Sequence, residues 1–188
     1  MDKLTDFGHT FQVKSIAGLM KNQTFREDWI NRMCDYLNKG FKAQNVISLV
    51  DKITERIAIE VDRDRIRWQD SMLYIKKGER ISWIKDYAVK RPEFIRKHII
   101  DYFKLDHGVS DIKVIQNVSM GHVRINSIDI HESLWTGKYI EDIPIHIEAI
   151  PNKGYAFDGW KGKSLPKERS IRVKTKKNKK FIPIFKKI

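Results

Sequence analysis

The sequence predicts an α+β protein, with an all-helical segment over residues 1–105 and an antiparallel β-sandwich-like module over residues 106–188. Three observations carry that expectation. Before about Asp106, apolar residues recur at steps of three and four, the period of a helix with one buried face. From Asp111 onward they alternate, the period of a half-buried strand. In DIPIHIEAIPNKGYAFDGW, residues 142–160, the residues Ile143, Ile145, Ile147 and Ala149 share one face. Pro151 to Gly154 then spell a turn, and Tyr155, Phe157 and Trp160 supply the apolar area that pins a small β-domain.

Taken in order, residues 1–13 show no clear period, and residues 15–22 support one or two helical turns. Thr24 and Glu27 stand at capping-box spacing. Phe25, Trp29, Met33 and Leu37, with Ile30 and Cys34 beside them, form a helical stripe that ends near Gly40. Val46, Val50, Ile53, Ile57 and Val61 mark a long amphipathic helix from Ala43 to about Trp68, with Glu55, Arg56, Glu60 and Asp64 outside. Ile81, Ile84, Tyr87 and Ala88 repeat the pattern, and Pro92 opens a further helix bearing Phe94, Ile95, Ile99 and Tyr102. Because proline disfavours a helical residue before it, a break is expected at Arg91-Pro92.

In the second half, Ile112 and Val114 flank Lys113, and Ser119-Met120-Gly121 is a turn. Residues 122–131 read as one alternating strand, and Trp135 to Tyr139 open the next. The strand ending near Ile150 and the one beginning at Tyr155 are expected to pair as a hairpin. In the tail, Ile171, Val173, Phe181, Pro183 and Phe185 alternate with Arg172, Lys174, Ile182 and Ile184. KKNKK, residues 176–180, reads as the connection of a basic C-terminal hairpin.

Composition narrows the classes. An apolar share of 41% with 11% aromatic residues is enough to bury a core. There is no apolar run of about 18 residues, so no membrane span is expected, and MDKLTDFGHT has no apolar signal segment. The single Cys34, among apolar residues at helical spacing, reads as a buried thiol and excludes disulfides within one chain. The net charge of +13 is uneven: residues 161–188 hold 12 basic side chains and 1 acidic, whereas residues 106–160 hold 4 and 8. Lysines on solvated strand positions discourage edge pairing, and clustered lysines also suit a polyanion.

Three helical blocks, NQTFREDWINRMCDYLNKGF, VISLVDKITERI and WIKDYAVKRPEFIRKHIIDYFKL, carry a resemblance in both order and spacing. They closely resemble the C-terminal helical part of the CotH (spore coat protein H) kinase family, where segments of the type NPEFRNRFINRFADLLN, VLALIDELAAEI and RPEFVRQHLREYF follow one another. GHVRINSIDIHESLWTGKYIEDIPIHIEAIPNKGYAFDGWKG resembles the β-module that often comes next, and GYAFDGW looks like a bacterial surface repeat. The resemblance implies an atypical protein kinase family that uses ATP and a divalent metal. It also implies that the residues gripping phosphate and metal lie upstream of these helices. No catalytic, cofactor-binding or metal-binding residue of the family therefore carries over to a position here, and no cofactor is expected in this chain. The implied role is a non-catalytic C-terminal portion that supports the fold and attaches to a surface or partner. The implied partners are the upstream kinase core or coat and surface proteins. The implied location is extracytoplasmic, at the cell surface or spore coat.

The residues themselves leave two further readings, a glycan- or protein-binding β-module and a polyanion or nucleic-acid binder. The candidate binding surface combines the rings of Trp135, Tyr139, Tyr155 and Trp160 with Lys176, Lys177, Lys179 and Lys180, although rings at these spacings more often form core. Asp62 and Asp64 are the carboxylate pair to test for a metal, yet they sit among Arg63, Arg65 and Arg67. The six histidines lack metal-ligand spacing, with His122 and His146 expected on adjacent strands.

Overall fold

The computed structural model describes residues 11–67, 77–162, 166–176 and 178–188. Among the described residues four helices, α1 (Phe11–Leu19), α2 (Gln23–Asn38), α3 (Ala43–Arg67) and α4 (Lys77–Phe103), precede nine strands. The strands are β1 (Val109–Ile115), β2 (Gly121–Ile125), β3 (Ile128–Ile130), β4 (Leu134–Ile140), β5 (Ile145–Pro151), β6 (Tyr155–Trp160), β7 (Ser170–Val173), β8 (Lys179–Phe181) and β9 (Pro183–Lys187). The α+β class is as the periodicities predict. No helix among the described residues is long and apolar enough to cross a membrane.

By compactness the chain divides into Met1–Asp35 with Leu105–Ile188, and Tyr36–Lys104. This division differs from the one that the change of period marks near Asp106. The reason lies in α2, whose buried polar groups are bonded to strands.

In the second unit α3 and α4 pack on one another, with Lys85 Nζ 2.5 Å from Asp51 Oδ1. The break expected at Arg91-Pro92 is absent, and α4 runs through Pro92. Proline removes one donor from the helix ladder, but Ala88 before it and Arg96 and Ile99 after it are all buried. The packing on both sides holds the helix continuous. Arg96 adds bonds from Nη1 to the Pro92 carbonyl at 3.1 Å and from Nη2 to Asn38 Oδ1 at 2.8 Å.

In the first unit the strands form three sheets of order β4-β1-β8, β3-β2-β5-β7 and β6-β9. Their buried faces share one core. Trp160 meets Phe181 edge to face at 6.2 Å, joining the third sheet to the first. Gln116 joins the first to the second, donating from Nε2 to the Ile130 carbonyl at 2.7 Å and accepting from Val123 N at 2.7 Å.

Three pairings correct the expectations. Residues 122–131 are two strands, not one: β2 and β3 pair antiparallel across a turn at Asn126-Ser127, with Asn126 at φ 47°. The turn shifts the alternation by one, so Val123, Ile125, Ile128 and Ile130 all face the core. The turn before Tyr155 forms, with Gly154 at φ 85° and Tyr155 N bonded to the Asn152 carbonyl at 3.0 Å. It joins no hairpin, because both edges of β5 are taken, by β2 and β7, and β6 pairs with β9. The tail likewise forms no hairpin. Its strands are shared out, β7 beside β5, β8 parallel to β1 and β9 beside β6.

Candidate functional site

The polar face of α2 is the most organised group of side chains on this helix. Asn22, not Thr24, caps the helix, its Oδ1 accepting from Phe25 N at 3.0 Å. Glu27, Asn31 and Asp35 then recur at steps of four, so they lie on one face. Each meets the next strand across the second sheet. Arg172 on β7 donates from Nη2 to Glu27 Oε2 at 3.1 Å. Asn31 Nδ2 donates to the carbonyl of Pro144, just before β5, at 2.8 Å. Asp35 accepts at the β2–β3 turn, from Ser127 N at 3.0 Å, Ser127 Oγ at 2.5 Å and Asn126 Nδ2 at 3.3 Å. From β4, Tyr139 Oη adds a fourth bond at 2.8 Å. Asn31 and Asp35 are buried, and a buried carboxylate is stable there only because its lone pairs are occupied.

The outer face of the same sheet is a net of paired charges. Arg124 Nε donates to Asp129 Oδ1 at 2.8 Å, and Arg169 Nη2 to Glu148 Oε1 at 3.2 Å. His122 Nε2 lies 3.3 Å from Asp129 Oδ1, and its ring meets that of His131 at 4.8 Å. The hydrogen bond from Arg124 holds the Asp129 carboxyl below its ordinary value, against burial, which raises it. Its stabilisation is therefore present above the unfolded carboxylate pKa and lost as pH falls through the folded one. Arg124→Gln is expected to make the acid limb of a stability profile shallower from about pH 4 downward, read from urea midpoints. A variant whose acid limb is as steep as the wild type's would show that the pair contributes nothing.

The residues singled out from sequence lie apart. Trp135, Tyr139 and Trp160 are buried in the core, and Tyr155 is half-buried. Their rings do what strand rings most often do: Trp160 Nε1 bonds the Glu168 carbonyl at 3.0 Å, and Tyr139 reaches Asp35. Lys176 and Lys180 are exposed, Lys179 is half-buried, and Lys177 lies outside the described residues. His122 and His146 are on adjacent strands but not opposite one another; His122 faces Ile150 in the register, and His146 Nε2 is 2.7 Å from Ser170 Oγ. Asp64 is exposed on α3, and the side chain of Asp62 lies outside the described ones. Among the described residues no three His, Cys, Asp or Glu side chains gather as a metal site. Cys34 is buried and in no disulfide, as its spacing predicts.

Periodicity missed the Glu27, Asn31, Asp35 stripe because a polar residue counts there as solvent-facing. The signal that was present is their common step of four beside the apolar Ile30, Cys34 and Leu37.

A protein-family model described as CotH kinase protein matches residues 11–95. No curated protein and no solved structure matches the chain. The matched range holds α1 to α3 and most of α4, and none of the strands.

Proposed function

We propose that this chain, whose residues 11–95 are a CotH-family portion, is a non-catalytic part of a CotH-like protein. Its helices give structural support, and its strands are fixed to α2 so as to hold an attachment surface. The observation that carries this reading is the stripe on α2. A module that merely followed the family segment would leave Glu27, Asn31 and Asp35 to water, whereas here each is bonded to a different part of the β fold. The apolar side chains exposed in the other unit support a covered partner face: Ile53 and Ile57 on α3, and Trp83, Tyr87 and Phe94 on α4. The kinase core that the family resemblance implies is the partner we assign to them, and the cell surface or spore coat is the location.

A phosphoryl-transfer site needs a nucleotide cradle, a cation on the phosphates and carboxylates on the metal. Titration of ATP with magnesium into the protein is accordingly expected to give no saturable heat. A saturable isotherm, lost when Asp62 and Asp64 are changed to asparagine, would overturn the non-catalytic reading.

A further inference from the structure

The two large sheets treat charge differently on their outer faces. On β3-β2-β5-β7 each arginine has a carboxylate: Arg124 has Asp129, Arg169 has Glu148 and Arg172 has Glu27. On β4-β1-β8 the exposed positions carry Lys113, Lys138 and Lys180, from distant parts of the chain, beside Val109, Asp111, Leu134 and Thr136. Lys113 on β1 lies directly opposite Lys180 on β8 in the parallel register, and both are exposed. Two like charges on neighbouring strands repel and cost stability, yet no ion pair to either is found among the described residues. On the other side of β1, Lys138 on β4 is 3.6 Å from Asp111, and Lys176 is 3.8 Å from Asp142. Lys180 of the tail thus joins Lys113 of β1 and Lys138 of β4 on one face, with Asp111 among them.

We propose that this face binds a linear anionic glycan, with Lys113, Lys138 and Lys180 as its centre. The inference rests on the attachment role above and gives it a ligand class. Lysines are compact point charges on flexible stems, suited to sulfate or carboxylate groups spaced along a polymer. Nucleic acid is the poorer fit. Single strands bind by stacking bases on exposed rings, and the rings of these strands, Trp135, Tyr139 and Phe181, are all buried. No arginine of these three strands offers the bidentate fork that reads a base edge.

The test uses heparin as probe, with the whole chain. Lys113→Gln with Lys180→Gln is expected to weaken binding about tenfold and to lower the salt slope of log Kd by roughly two, since each lysine lost releases one counterion fewer. Lys52→Gln with Lys97→Gln, the same charge change on α3 and α4, is expected to leave binding near wild type. Lys113→Glu turns the repelling neighbours into an ion pair and is expected to weaken binding at least as much as the double variant while keeping or raising the melting temperature. Equal losses in both double variants would reduce the effect to net charge and overturn the site, as would a lysine-face variant that binds like wild type. Displacement of heparin by oligo-dT at matched charge concentration would overturn the glycan in favour of nucleic acid. None of these outcomes bears on the ATP titration or the Asp35 variants, so the surface and the support role fail separately.

Discussion

Asp35→Ala is expected to lower stability by about 3 kcal/mol or more, the largest effect of any polar substitution on α2. Four donors converge on this carboxylate, and removing it takes away the bond that each makes to it. Tyr139 is fully buried, so its hydroxyl has no water to turn to. A buried donor left alone costs its full desolvation, about 1–3 kcal/mol, and bonds to a charged acceptor are the stronger kind. Tyr139→Phe removes donor and demand together and is expected to cost only about 1 kcal/mol. In a double-mutant cycle the pair Asp35→Ala and Tyr139→Phe should therefore cost less than the sum of the two. Urea denaturation measures all three. A loss under about 1 kcal/mol for Asp35→Ala would mean that α2 is not fastened to the strands, and the support role would fall with it.

What was legible in the sequence was period, and what was not was pairing. Alternation placed Ile145, Ile147 and Ala149 inward and Phe181 and Phe185 inward, and the structure buries all five. Alternation says nothing about which edge a strand meets. β7, β8 and β9 read as one local hairpin because hairpins are the shortest connection, but each strand completes a different sheet. The Asn126-Ser127 turn leaves a mark in the sequence, since Ile125 and Ile128 stand three apart and the alternation slips by one there. The positive φ of Asn126 and its bonds to β5 show that the strand doubles back at this slip. On α2 the apolar stripe was read a little off its true centre. Trp29 and Met33 are half-buried, whereas Ile30, Cys34 and Asp35 are buried, because hydrogen-bonded polar groups occupy part of the inner face.

The candidate site was legible only in part, for the same reason. The lysine run at 176–180 was visible, while its continuation through Lys113 and Lys138 depends on β8 pairing parallel to β1, a long-range contact with no local signal. The rings of Trp135, Tyr139, Tyr155 and Trp160 stand at spacings that more often form core, and ring content alone does not tell which side of a strand faces solvent. For Trp135 and Tyr139, Thr136 and Lys138 on the opposite side decide it, since those two are exposed.

Gly121→Ala is expected to destabilise the protein by about 3 kcal/mol, at the upper end for one added methyl in a packed core. A Cβ at this position would stand 2.6 Å from the Ile150 carbonyl oxygen and 2.6 Å from Cζ of Phe185. The ring can shift. The carbonyl belongs to β5, a central strand bonded on both edges, and cannot shift without moving β2 or β7. Gly137 offers the comparison, because a Cβ there would run into the ring of Trp135 and meet no backbone atom among its nearest neighbours. Trp135→Leu should therefore offset much of the cost of Gly137→Ala within a double-mutant cycle, whereas Phe185→Leu should recover only a small part of the cost of Gly121→Ala. Equal recovery in the two cycles would mean that β5 yields as easily as a side chain, and that the second sheet is looser than its register implies.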